Sequence, residues 1–213
     1  PHARRIRWGW PWRGPMPRPP RCCRSCATRL DVLLRRHLIA ARRTLLGEAA
    51  DTGYETQRLA VGFVDLVGST ALAQQLSTRE LGAVLTEFET LAADIVAAAG
   101  GRVVKLIGDE VLYTAADPRS ACRIAVEMTS RLADHPRVPP ARAGVASGEV
   151  LLRDGDVFGP TVNLAARAVK VARPGEVVIP AALAGEAGIT ARRLGSMTLR
   201  GFPAEVELAR VAP

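Results

Sequence analysis

Lysine is nearly missing from this 213-residue chain: Lys105 and Lys170 stand against 27 arginines, so a lysine here is not the default surface cation. Histidine is almost as scarce. Of three, His2 and His37 fall near the start and His135 in a Pro-flanked loop, which argues against a Ser-His-Asp or Cys-His centre in the body. No apolar run approaches the ~18–20 residues of a membrane-spanning helix. The basic start is not followed by the apolar stretch of a secretory signal, and the chain reads as soluble and cytoplasmic. Cys22, Cys23 and Cys26 include one C-x-x-C pair, but no second Cys/His pair completes a zinc site. Cys122 falls on a predicted helix, as a small buried hydrophobe. The Walker A pattern is absent as well.

What remains is ordinary globular composition, 48% apolar and 23% charged, with room for one domain and an appendage. The net charge of +8 is unevenly placed. Residues 1–58 hold 13 Arg against four acids, a net +9; residues 59–213 come to −1. The basic character belongs to the leader, and the body offers no basic face for nucleic acid.

Three regions follow. Residues 1–27, rich in Arg, Pro and Trp and without helical or strand period, are expected to be disordered. Residues 28–58 carry a basic amphipathic helix, with Leu30, Leu33, Leu34, Leu38, Ala41 and Leu45 as its stripe, and a linker. It reads as a packing helix with a solvated basic face, possible end of a regulatory domain; weak membrane-surface contact and partner docking are the functional alternatives. Residues 59–213 form the body.

The body alternates strands and helices. Leu59–Asp65 is a buried strand, and Gly68-Ser69-Thr70 turns the chain into a short helix through Leu76. Ser77 and Glu80 have capping-box spacing before a helix that Gly100-Gly101 stops. Residues 102–107 and 111–114 make a hairpin through Gly108-Asp109. Asp117-Pro118 opens a helix to about Ala133. Strands at 141–147 and 149–152, a helix near 161–171, and strands near 177–179, 192–194 and 205–211 complete it. The order β-α-β-β-α-β is that of a ferredoxin-like α+β unit with extra strands, preceded by a helical N-terminal segment.

Asp65 closes the first strand and Asp109 sits in the hairpin turn, so the two converge at one sheet end. Paired hard oxygen ligands near a phosphate site suit Mg²⁺. Between them in sequence, Leu66-Val67-Gly68-Ser69-Thr70 forms a strand-to-helix corner whose free N–H groups favour phosphate. Lys105 lies on the hairpin four residues before Asp109. Asn163 and Arg167, four apart, project from one helix face as an amide and a guanidinium aimed together.

Five ordered blocks, FVDLVGST (63–70), VKLIGDEVLY (104–113), RAGVASGEV (142–150), GDVFGPTVNLAAR (155–167) and LRGFPAEVELARV (199–211), resemble the catalytic domain of class III nucleotidyl cyclases, particularly bacterial adenylate cyclases. The resemblance implies that Asp65 and Asp109 hold two Mg²⁺ or Mn²⁺ ions, with the Leu66 carbonyl as a further ligand. It implies that Val67, Gly68, Ser69 and Thr70 form the phosphate loop. Lys105 and Asp156 then read the adenine edge of ATP. Asn163 orients the ribose and Arg167 stabilises the transition state. Arg200 stands where the family usually has a phosphate-contacting Lys, a departure, since an Arg fork and a Lys point charge are not interchangeable. The family arrangement further implies a homodimer with two composite sites, one copy giving the aspartates and loop, the other the remaining groups. The expected activity is conversion of ATP to 3′,5′-cyclic AMP and pyrophosphate. Alternatives are a guanylate or relaxed-specificity cyclase, and a degenerate nucleotide-binding dimerisation module. Ile107-Gly108-Asp109-Glu110 lacks the Gly-Gly-Asp-Glu-Phe pattern of diguanylate cyclases.

Overall fold

The structure, a computed structural model, describes residues 55–212. The expected disordered leader, the C-x-x-C pair and the basic helix from Leu30 lie outside the described residues. β1 (Glu55–Leu66), α1 (Ser69–Gln75), α2 (Thr78–Ala98), β2 (Arg102–Ile107), β3 (Glu110–Ala115), α3 (Pro118–Ala133) and β4 (Ala141–Arg153) come first. They are followed by β5 (Asp156–Phe158), α4 (Pro160–Val171), β6 (Val177–Pro180), α5 (Ala181–Ala187), β7 (Ala191–Met197) and β8 (Val206–Val211). One sheet runs β2-β3-β1-β4-β6-β8-β7, with β5 pairing β4 alone. In its first four strands each neighbouring pair is antiparallel, the ferredoxin-like arrangement expected from the element order. Among the described residues no helix is long and apolar enough to cross a membrane.

The two-residue period of β1 divides the core. Ala60, Val64 and Leu66 face α2, α3 and α5 with Phe88, Ile95, Ile124 and Met128. Val61 and Phe63 face the opposite layer, where Ala165 and Val169 of α4 cover the sheet. Asp65 continues the second series, so the same alternation that buries Phe63 brings a carboxylate under α4. Local signals place the long helices. Ser77 and Glu80 form a full capping box, with Glu80 N–H donating to Ser77 Oγ at 3.3 Å and Ser77 N–H donating to Glu80 Oε2 at 2.9 Å. Asp117 caps α3 by accepting from Ser120 N–H at 2.9 Å, with Pro118 at the first helical position. Cys122 is 1% exposed, and burial pushes its thiol up to about 12, an inert core residue as its helix position suggests.

Four details differ from the sequence reading. β1 begins at Glu55 rather than Leu59, because four exposed residues extend its pairing along β4 without any apolar pattern. β4 is one strand across Gly148 rather than two. The three-residue β5 follows the Asp154-Gly155 turn and is too short to show a period. The helix α5 has Ala at four of its seven positions and Leu183 as its one large apolar side chain, so it shows no apolar stripe.

α4 approaches β4 closely, and Gly144 sets that distance. A Cβ there would lie 2.2 Å from the Val169 nitrogen and 2.5 Å from the Ala165 carbonyl oxygen, both helix backbone. Gly144→Ala is therefore expected to push α4 off the sheet and to destabilise by about 1–3 kcal/mol, the usual range for overpacking. Thermal unfolding of the variant checks it: the midpoint should fall by several degrees, while Gly82→Ala, with open space around its Cβ position on an exposed helix turn, should not lower it.

Candidate active site

The site begins at the last turns of β1. Asp65 pairs in register with Glu110 of β3 on one side and Arg142 of β4 on the other, so three charged side chains stand abreast across three strands. Only 6% of Asp65 is exposed. Two carboxylates directly opposite in a sheet repel one another, and the surrounding cations offset that repulsion. Arg142 donates through Nε at 3.0 Å and Nη2 at 2.7 Å to Asp65 Oδ2. Lys170, from the last turn of α4, donates to the same oxygen at 3.1 Å and lies 3.5 Å from Glu110 Oε1. At that longer distance the second contact is ionic, and Glu110 Oε1 is buried without a hydrogen-bond partner. Burial pushes the Glu110 carboxyl above the usual carboxylate range, while the Lys170 ammonium pulls partly the other way.

Asp109 reaches the same sheet end from the hairpin turn. Its carbonyl accepts from Leu66 N–H at 3.2 Å, and its Oδ2 accepts a short hydrogen bond from the Ser69 hydroxyl. Val67 N–H donates to the Pro140 carbonyl at 2.8 Å, so the corner after β1 is tied to the hairpin on one side and to the approach of β4 on the other. Gly68 adopts the left-handed region (φ 76°) to turn the chain into α1, a conformation that a residue with a Cβ rarely takes. Asp65 and Asp109 thus stand at the same sheet end, with Ser69 against Asp109 and with Arg142 and Lys170 against Asp65.

A second cluster lies where β2 meets β5. The register of β2 shifts between Val103 and Lys105. Val103 packs in the α2–α3 layer and Val104 in the α4 layer. The bulge sends Lys105 to that same second layer, where its ammonium lies 2.6 Å from Asp156 Oδ2. Asp156 is held in turn by Val157 N–H, which donates to Oδ1 at 2.8 Å. Two of the exposed large apolar side chains, Ile107 and Phe158, each stand two residues from this pair.

The third group follows the outer face of α4. Asn163, Arg167 and Lys170 fall at i, i+4 and i+7, opposite the buried Ala165, Ala168 and Val169. Arg167 Nε donates to the Arg200 carbonyl at 3.1 Å, while the Arg200 side chain is exposed. From Asn163 to Lys170 the helix rises about 10 Å, so one polar face links the Asn/Arg pair to the carboxylates.

Three residues here carry no role in the sequence reading: Glu110, Arg142 and Lys170. Glu110 and Arg142 lie inside the quoted blocks, but their meeting with Asp65 is a matter of strand register. Lys170 had a usable signal, being the second of only two lysines and three residues beyond Arg167 on the same helix face.

Among the described residues no group of three or more His, Cys, Asp or Glu side chains forms a closed metal cage. The donor set instead fits a hard cation that takes one or two carboxylates and completes its shell with substrate phosphate oxygens, and the unpartnered Glu110 Oε1 is a further hard oxygen beside it.

A family model for the adenylate and guanylate cyclase catalytic domain matches residues 53–208. The chain belongs to this family. An adenylate cyclase of Streptomyces coelicolor is 45% identical over 152 residues, covering 71% of this chain and 40% of that protein. An uncharacterised protein of Mycobacterium tuberculosis is 41% identical over 182 residues, 83% of this chain and 47% of its own length. The chain thus spans less than half the length of these curated relatives. Among solved structures, the adenylyl cyclase CyaB from P. aeruginosa aligns with a TM-score of 0.68 at 22% identity, covering 75% of this chain and 96% of that one. The cyclase domain described here has that fold, α+β with a ferredoxin-like centre and extra strands.

Arg142 is the main neutralising group for a buried carboxylate. Arg142→Met is expected to cost about 2–3 kcal/mol, because it strips a largely buried charge of two hydrogen bonds. Urea unfolding checks it, and Asp65→Asn in the same background should recover most of the loss by removing the stranded charge.

Proposed function

We propose that the protein is an adenylate cyclase that converts ATP to 3′,5′-cyclic AMP and pyrophosphate at sites shared between two copies of the chain. The observation that carries this reading is a division of the site. Asp65, Asp109 and the Ser69 corner gather at one sheet end, while Asn163 and Arg167 look outward from α4, and Ile107 and Phe158 leave apolar surface exposed around Lys105 and Asp156. Outward-facing catalytic groups beside exposed apolar side chains suit a surface that a second copy covers, and two-fold symmetry then makes two equivalent sites.

Each residue has a role on this reading. Lys105 donates to, and Asp156 accepts from, the adenine edge, having released one another from their present 2.6 Å contact. Asn163 orients the ribose. Backbone N–H groups of Gly68, Ser69 and Thr70 face the triphosphate, while that of Val67 is already taken by the Pro140 carbonyl. As the 3′-oxygen bonds to the α-phosphorus and gives its proton to solvent water, the bond from that phosphorus to the pyrophosphate oxygen breaks. Arg167 neutralises the charge that develops on the α-phosphate, and Arg200 meets the charge on the departing pyrophosphate. Asp65, Asp109 and the Leu66 carbonyl would hold divalent ions, Mg²⁺ or Mn²⁺ and two per site, which when bound acidify the ribose 3′-hydroxyl and grip the triphosphate.

The test uses the full chain with ATP or GTP and follows both cyclic nucleotides. Cyclic AMP should dominate; equal or greater cyclic GMP formation would move the reading to a guanylate or relaxed-specificity cyclase. Arg167→Ala should lower kcat by ~10²–10³, the usual loss for one electrostatic donor. Asp65→Asn and Asn163→Ala should each be inactive alone. Mixed in equal amounts they should regain about a quarter of the parent activity, since half of the dimers then carry one intact site of two. No regain, with both variants folded and dimeric, would rule out the shared site.

A further inference from the structure

In a chain that uses arginine 27 times, one of the two cations set against the most buried carboxylate of the site is a lysine. Lys170 is half exposed, with 50% of its side chain accessible, while Asp65 is almost fully covered. The contacts from Arg142 and Lys170 converge on one oxygen, Oδ2, and bring two positive charges to a single carboxylate. The two cations are not held alike. Arg142 is flanked by its strand, and its Nη1 also reaches the Ala172 carbonyl at 3.5 Å. Lys170 hangs on a flexible four-carbon stem from the last turn of α4 and has a second carboxylate, Glu110, 3.5 Å away.

We propose that Lys170 is a resident counter-cation of the metal site: its ammonium neutralises Asp65 when no divalent ion is bound, and must move aside, toward Glu110, for Asp65 to ligate one. The inference rests on the assignment of Asp65 as a metal ligand. An incoming ion meets an oxygen that already accepts three N–H donors, and a positive charge beside it. Its affinity is therefore set by the exchange of one cation for another rather than by the carboxylates alone. Lysine suits this exchange and arginine does not. A point charge with rotatable donors leaves a carboxylate easily, and a planar fork grips it in two places. Arg142 keeps Asp65 paired throughout; Lys170 adds the second positive charge that Asp65 and the neighbouring Glu110 call for before any ion arrives.

The experiment measures Mn²⁺ binding to the full chain without nucleotide, by the loss of the free-ion electron paramagnetic resonance signal. Lys170→Gln should bind Mn²⁺ about five- to tenfold more tightly than the parent, as expected for removing one partly screened positive charge close to the ion. Lys170→Arg should bind no more tightly than the parent. In chelator, Lys170→Gln should melt below the parent, and Mn²⁺ should raise its midpoint by the larger amount. The two lysines also give separable side-chain amine resonances: Mg²⁺ should shift that of Lys170 and leave that of Lys105 in place. Affinities of Lys170→Gln and parent within twofold of one another, or a tighter Lys170→Arg, would overturn the exchange while leaving the metal site standing. No Mn²⁺ binding by parent or Lys170→Gln, or binding by the parent that Asp65→Asn leaves unchanged, would overturn the metal assignment and the exchange together.

Discussion

A carboxylate driven into the interior by strand alternation has to be met by positive charge, and much of this site can be understood as the answer to that requirement. Val61, Phe63 and Asp65 share one face of β1, so the residue that ends the series enters the same layer as the apolar pair before it. Register then puts Glu110 on one flank and Arg142 on the other. With a second acid beside it, Asp65 needs more than one cation, and α4 brings Lys170 from above. The approach of α4 that allows this depends on Gly144, where a side chain would strike the helix backbone. Packing, register and electrostatics are thus linked at one point, and a change to any of them reaches the others.

The parts of the molecule legible in its sequence are those with short-range causes. The capping box at Ser77 and Glu80, the Asp117-Pro118 helix start and the apolar run Leu59–Asp65 each act within a few residues, and the first two mark their helix starts while the third lies inside β1. That Asp65 and Asp109 lie at one sheet end also follows from local logic, because a hairpin returns the chain beside its neighbour strand. Elements without a strong pattern were hidden. The Ala-rich α5 has nothing to make a stripe, and β5 is shorter than a period can reveal. The most consequential omissions were long-range: Arg142 and Lys170 meet Asp65 across 77 and 105 residues of sequence, through register and helix placement that no local motif encodes. The scarcity of lysine, which drew attention to Lys105, pointed equally to Lys170.

Both lysines turn out to stand in the same relation to the chemistry. Each is parked on an aspartate: Lys105 on Asp156, Lys170 on Asp65. Each lysine side chain remains substantially exposed, at 41% and 50%, although Asp65 itself is covered. A pair with both members sealed would resist opening because the stranded charges could not be resolvated; here the lysine can return to water when its aspartate takes another partner. On the proposed reading, both aspartates are groups that must turn to something else when nucleotide and ions arrive. Asp65 and Asp156 are then paired internally while the site is empty, and binding replaces those two pairs. That arrangement keeps the fold stable without ligands and makes affinity depend on the difference between two sets of contacts. Arginines tie down the groups that stay in place, as Arg142 does at β4, and lysines sit where the contact has to be given up.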